Sequence, residues 1–171
     1  MGPLGQHIGI RTTVTTFAEV VFKGTNHQGD RPDALIVLNT GRSSWKALVE
    51  VKHGKAELLL DQVQRYVELA KDFDISAVIT ISNQFTALPT HSPVTLSGAL
   101  TKSVSLFHLS WSAIKTEVEL LQTDETVSDP ERRLVMVELH RYLSHESAGI
   151  SGFTQMNSGW KEVTKALARA N

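Results

Sequence analysis

Asp33-Ala34-Leu35-Ile36-Val37-Leu38-Asn39-Thr40-Gly41-Arg42-Ser43-Ser44-Trp45-Lys46-Ala47-Leu48-Val49-Glu50-Val51-Lys52 decides the fold. Its first run, Ala34 to Leu38, is apolar at every position, as a strand buried on both faces should be. Asn39 to Ser43 supplies turn residues, and residues 44–52 read as a second strand, so the pair predicts a β-hairpin. An antiparallel return places Asp33, at the mouth of the first strand after Pro32, close to Glu50 near the end of the second. Glu50 and Lys52 are two apart and share one face of the sheet. Two carboxylates and an ammonium thus converge at one sheet end.

The surrounding chain predicts an α/β domain. Residues 12–23, with Val14, Phe17 and Val21 on one side, predict a helix that ends at Gly24. Leu59, Val63, Tyr66, Val67 and Ala70 follow the i, i+4, i+7, i+8 spacing of an amphipathic helix over residues 56–72. Residues 75–82, rich in β-branched side chains, predict a strand. A long loop over residues 86–103 follows, then a strand over 104–109 and a helix capped by Ser110 that runs to about residue 121. Asp129 followed by Pro130 is a strong helix start, with Leu134, Val135, Leu139, Tyr142 and Leu143 as its stripe. Ser158 caps an expected last helix carrying Trp160, Val163 and Leu167. Residues 6–110 form the expected core and residues 111–171 a helical extension packed on it in the same domain.

Composition narrows the function classes. At 171 residues the chain matches one domain, and 41% hydrophobic residues suffice for a buried core. No apolar run approaches the ~20 residues of a membrane-crossing helix. Met1-Gly2-Pro3-Leu4-Gly5 has neither a basic start nor an apolar h-region and reads as a cloning remnant. With 0 cysteines, disulfides, thiolate catalysis and Cys-bound zinc are excluded, which fits a cytoplasmic setting. Seventeen basic against eighteen acidic residues leave a net charge of -1, so nucleic-acid binding requires a local basic patch.

Several motifs fail. Gly24 and Gly29 have P-loop spacing, but Asp30-Arg31 stands where Lys-Ser/Thr is needed. Gly149-Ile150-Ser151-Gly152 is one residue short of a nucleophile elbow. Ser-x-x-Lys recurs at Ser43, Ser112 and Ser158 without companion motifs. His140 and His145 are not spaced as helical metal ligands.

What survives is Asp33, Glu50-Val51-Lys52 and, on the following helix, Gln62 and Tyr66, four apart on one side. The two carboxylates and the backbone carbonyl of Val51 are hard donors suited to Mg²⁺, with Mn²⁺ as substitute. Lys52 beside them suits the orientation of a water for attack on a phosphodiester. Charge on an otherwise apolar strand points to function.

Pro32-Asp33, Glu50-Val51-Lys52 and Gln62-x-x-x-Tyr66 together resemble the PD-(D/E)XK nuclease superfamily, with a Gln-x-x-x-Tyr element similar to its RecB-like branch. The resemblance covers roughly residues 12–82. It implies a restriction-endonuclease-like core, a mixed central sheet flanked by helices, with the C-terminal helices as an extension. It also implies metal-dependent hydrolysis of nucleic acid, DNA more than RNA. Asp33, Glu50, Lys52 and Gln62 are then the candidate catalytic residues, Gln62 positioning phosphate or water. Asp33, Glu50 and Val51 hold the metal, and Glu19, on the expected first helix, is the further candidate ligand. Arg42, Lys55, Arg65 and Tyr66 are the candidate substrate contacts. Two rival readings are a non-catalytic nucleic-acid-binding or assembly module on the same fold, and a protein-interaction domain with a purely structural charge cluster. A homodimer and a further C-terminal region are both compatible with the sequence.

Overall fold

The computed structural model describes residues 12–23, 27, 29–123 and 129–150. A five-stranded mixed sheet is ordered β1-β2-β3-β4-β5, with each strand beside its sequence neighbour. The strands are β1 (Thr13–Ala18), β2 (Ala34–Asn39), β3 (Ser44–Val51), β4 (Ala77–Ser82) and β5 (Ser105–Ser110); the helices are α1 (Leu60–Asp72), α2 (Trp111–Thr123) and α3 (Pro130–Ser144). The first three strands are an antiparallel meander, and β3, β4 and β5 run parallel.

The expected hairpin forms, with Ala34 opposite Val49 and Asn39 opposite Ser44. Residues 12–23 do not form the expected helix. Thr13, Val14, Thr15 and Thr16 are β-branched and poorly suited to a helix, and they pair with β2 as an edge strand exposed along its length. Consequently β2, expected to be a buried central strand, is only half-buried; the sheet centre passes to β3 and its neighbour β4, where burial is deepest. Helix α1 begins at Leu60 rather than Ala56, because the amides of Ala56 and Leu58 bond to the His53 carbonyl and the Gln84 side chain instead.

Side-chain alternation divides the core. Leu48 and Val78 pack with Tyr66, Val67, Leu69 and Ala70 on the α1 face, whereas Ala47, Val49, Ala77 and Ile79 pack on the other. The long loop before β5 is irregular apart from a 3₁₀ turn at Leu100–Lys102; Leu96 and Leu100 anchor it to the core. Asp129 caps α3 as expected, accepting from the amides of Glu131 and Arg132. The expected stripe on α3 is not buried as a unit: Leu143 is, while Leu134, Val135 and Tyr142 are exposed, because the helix packs on α2 rather than on the sheet. The expected helix from Ser158 lies outside the described residues. Among the described residues, no helix is long and apolar enough to cross a membrane.

Candidate active site

One face of the sheet changes character along its length. On the α1 side an apolar row, Leu48, Val78 and Leu106, is followed two residues on by Glu50, Thr80 and His108, aligned across β3, β4 and β5. These three polar residues are buried, at 3%, 0% and 1% exposure. Each polar group must therefore find a partner in the protein. Thr80 Oγ1 donates to the Phe107 carbonyl at 3.1 Å and lies 3.0 Å from His108 Nδ1; His108 Nε2 is 2.7 Å from the Gln84 carbonyl. Burial holds the His108 imidazole below the ordinary histidine range, against an opposing contribution from the Gln84 carbonyl.

Glu50 has a different set of partners. Lys52 Nζ donates to Glu50 Oε1 at 2.7 Å, and Gln62 Nε2 donates to the same oxygen at 2.8 Å. Strand alternation brings Lys52 to this face, and Gln62, near the start of α1, covers it. Gln62 Nε2 also lies 3.3 Å from the Tyr66 hydroxyl one turn later. Burial raises the Tyr66 phenol above its ordinary range, the Gln62 hydrogen bond works against this, and the nearby Glu50 charge adds to it.

Asp33 enters from the neighbouring strand. It precedes Ala34, the first residue of β2 and the partner of Val49, and its Oδ2 accepts the Val51 amide at 2.7 Å. Asp33 and the Glu50-Val51-Lys52 segment thus meet where β3 ends. Asp33 and Glu50 offer hard carboxylate oxygens of the kind that fit Mg²⁺ or Mn²⁺ completed by water. Among the described residues, no group of three or more His, Cys, Asp or Glu side chains gathers as a metal cage.

Other candidate residues fall differently. Glu19 follows β1 in a left-handed conformation, φ 51°. Its amide donates to the Asp33 carbonyl at 2.7 Å, but its exposed carboxylate pairs with Arg31; the helix expected to aim it at the site is absent. Arg42 sits in the β2–β3 turn at the far end of the hairpin, about 20 Å along the strands from Asp33, and is not part of the cluster. Lys55 is exposed on the loop leaving β3, at the site end. Arg65 is engaged by Asp30 at 3.0 Å and Asp61 at 3.1 Å. Tyr66 is buried in the core beneath Gln62, so it supports that side chain rather than presenting a surface to substrate.

Sequence reasoning missed the residues that hold the loop leaving β3. Trp111, the first residue of α2, donates its indole N–H to the Lys52 carbonyl at 2.8 Å, while the Lys52 amide donates to the Ile81 carbonyl at 2.8 Å. Asn83 Nδ2 donates to the Gly54 carbonyl at 2.7 Å, and the Leu58 amide donates to Gln84 Oε1 at 3.1 Å. The only sequence signal was position: Asn83, Gln84 and Trp111 directly follow β4 and β5, where loops at the carboxyl ends of parallel strands gather. No family model, curated protein or solved structure matches the chain.

Proposed function

We propose that the protein is a metal-dependent nuclease of restriction-endonuclease-like architecture, hydrolysing phosphodiester bonds in DNA more readily than in RNA. The observation that carries this reading is the grouping where β3 ends, with Lys52 and Gln62 both on the buried Glu50 carboxylate and the Asp33 carboxylate on the adjoining Val51 amide. Asp33, Glu50 and the Val51 carbonyl would hold Mg²⁺ or Mn²⁺. When bound, the metal supplies positive charge against the negative charge that develops on the phosphoryl oxygens.

The protein's own residues have separate tasks. Glu50, buried beside Leu48, Val49 and Val51 at the end of β3, fixes the Lys52 ammonium at its Oε1, so the ammonium is pre-positioned to orient a water. Gln62 holds the same carboxylate from the helix side, its second amide hydrogen directed at the Tyr66 hydroxyl, so the side chain that would position water or phosphate is itself fixed at two points. Lys55 offers an exposed cation for the substrate backbone. Two independent donors on one buried carboxylate make the arrangement stiff, as catalysis by positioning requires.

The test is incubation of the protein with supercoiled plasmid, linear duplex, single-stranded DNA and RNA, in Mg²⁺, Mn²⁺ or EDTA, beside Lys52→Ala. Metal-dependent cleavage that disappears in the variant is the expected result. Cleavage by both proteins identifies a contaminant. A folded protein that neither cuts nor binds Mn²⁺ overturns the reading.

A further inference from the structure

We propose that the stacked pair His53 and Trp111 is a base-stacking platform, so that the preferred nucleic acid is one with unpaired bases, a single strand or a frayed end. The proposal deepens the nuclease reading by naming its substrate class, and rests on that reading for the chemistry next to the platform. The two rings lie 5.2 Å apart between centroids with an interplanar angle of 24°, an offset stack of the kind aromatic rings prefer. His53 is exposed and Trp111 is half-buried. The indole is therefore the base of the stack and the imidazole its outward ring.

The platform is rigid for identifiable reasons. The indole N–H is fixed to the Lys52 carbonyl at 2.8 Å, which ties the stack to the residue beside Glu50. The loop carrying His53 is clamped again by Asn83 on the Gly54 carbonyl and by Gln84 on the Leu58 amide. Rings held in place before binding lose little freedom when a base lands on them. Lys55, two residues on and also exposed, offers a cation for a phosphate of the same strand.

A base inside a duplex already has neighbours on both faces, so stacking on a protein ring is open to a base at an end or out of the helix. Stacking of this kind tolerates any base, because every base has a π face. The expected behaviour is a preference for unpaired strands with little sequence preference.

The test measures binding without turnover. A fluorescein-labelled single-stranded 12-mer and its blunt duplex, each about one helical turn, are titrated with the full chain by anisotropy, with EDTA or with Ca²⁺ in place of Mg²⁺. The expected result is tighter binding of the single strand and a weakening of roughly 5- to 150-fold in His53→Ala for that strand alone. Trp111→Phe, which keeps a ring, should retain more single-strand affinity than Trp111→Ala, with circular dichroism verifying the fold of each. A 2-aminopurine base in the strand should be quenched by the native protein and not by His53→Ala. Unchanged single-strand affinity in His53→Ala, equal losses on strand and duplex, or no single-strand preference in the native protein each overturns the platform. Because the readout is binding, absence of both cleavage and Mn²⁺ binding defeats the nuclease reading and leaves the platform standing; plasmid cleavage beside unaltered His53→Ala binding defeats the platform alone.

Discussion

The Asp33 carboxylate accepts the backbone amide of Val51 at 2.7 Å across a separation of 18 positions. That bond lies just beyond the last β2–β3 pair, Ala34 with Val49, where the regular ladder has stopped. A side chain therefore takes over a backbone role. It fixes the end of β3 and, with it, the direction in which Glu50 and Lys52 leave the sheet.

Asparagine and alanine at position 33 should separate this structural task from metal binding. Asp33→Asn keeps an acceptor for the Val51 amide and should remain near native stability. Asp33→Ala removes it and should cost about 1 kcal/mol, a drop of roughly 2–4 °C in Tm. Both should lose Mn²⁺ affinity by calorimetry, since both lose the carboxylate. Equal Mn²⁺ affinity in native and Asp33→Asn protein would remove Asp33 from the ligand set.

The Glu50, Lys52 and Gln62 group should behave as one unit. Lys52→Met or Gln62→Leu alone leaves the buried Glu50 carboxylate with one donor fewer, and each should destabilise by about 1–3 kcal/mol. Adding Glu50→Gln to either should recover much of the loss, because the uncompensated charge is gone. Urea unfolding of the singles and doubles measures the coupling. Strict additivity would mean that the two donors do not support the same carboxylate.

Much of this region could be read from the chain. The all-apolar run before Asn39-Thr40-Gly41 and the two-residue spacing of Glu50 and Lys52 are local signals, and they placed the hairpin and its charged end. Gln62 and Tyr66 followed from helical spacing. The N-terminal segment misled because Val14, Phe17 and Val21 imitate a helical stripe, while its strand state depends on pairing with β2, a contact that no local window contains. Trp111 was hidden for the same reason: it meets Lys52 across 59 positions. On α3 the spacing was real, but spacing alone does not say which neighbour covers a stripe.

Two histidines should bend the pH dependence of stability in opposite directions. His27 lies 3.0 Å from Asp72 and 3.2 Å from Asp30, and the Asp72 hydrogen bond leads in raising it above the ordinary 6.5, against desolvation. Its contribution is full below about pH 6.5 and is lost as pH rises through the raised value. His108 is held below 6.5 by burial. The unfolded chain then takes up the proton first, and stability falls as pH drops below about 6.5 towards the lowered value. Urea unfolding at pH 5.5 and 7.5 reads both. Relative to native protein, His108→Gln should lose less, or gain more, on acidification, and His27→Gln the reverse. Matching slopes for all three proteins would exclude both assignments.

Gly149 ties the end of the described chain to the loop leaving β3 through backbone contact. It adopts φ 65°, and a Cβ there would sit 3.0 Å from the Gly54 Cα and 3.5 Å from Asn83 Nδ2. Gly149→Ala should therefore cost about 1–2 kcal/mol from the left-handed backbone alone. Its Cβ must also push Gly54, two residues after Lys52, since a backbone atom cannot swing aside as a flexible side chain does. Gly41 is the matched control: φ is 81° and nothing lies within 4 Å of its would-be Cβ, at the end of the hairpin remote from Glu50. Both alanine variants should lose stability through the left-handed backbone, Gly149→Ala the more because of its contact with Gly54. Only Gly149→Ala should also slow metal-dependent cleavage, by roughly 10- to 100-fold, because a small displacement of a positioned group is costly to the reaction. Equal cleavage rates in the two folded variants would show that the Gly149–Gly54 contact does not position Lys52.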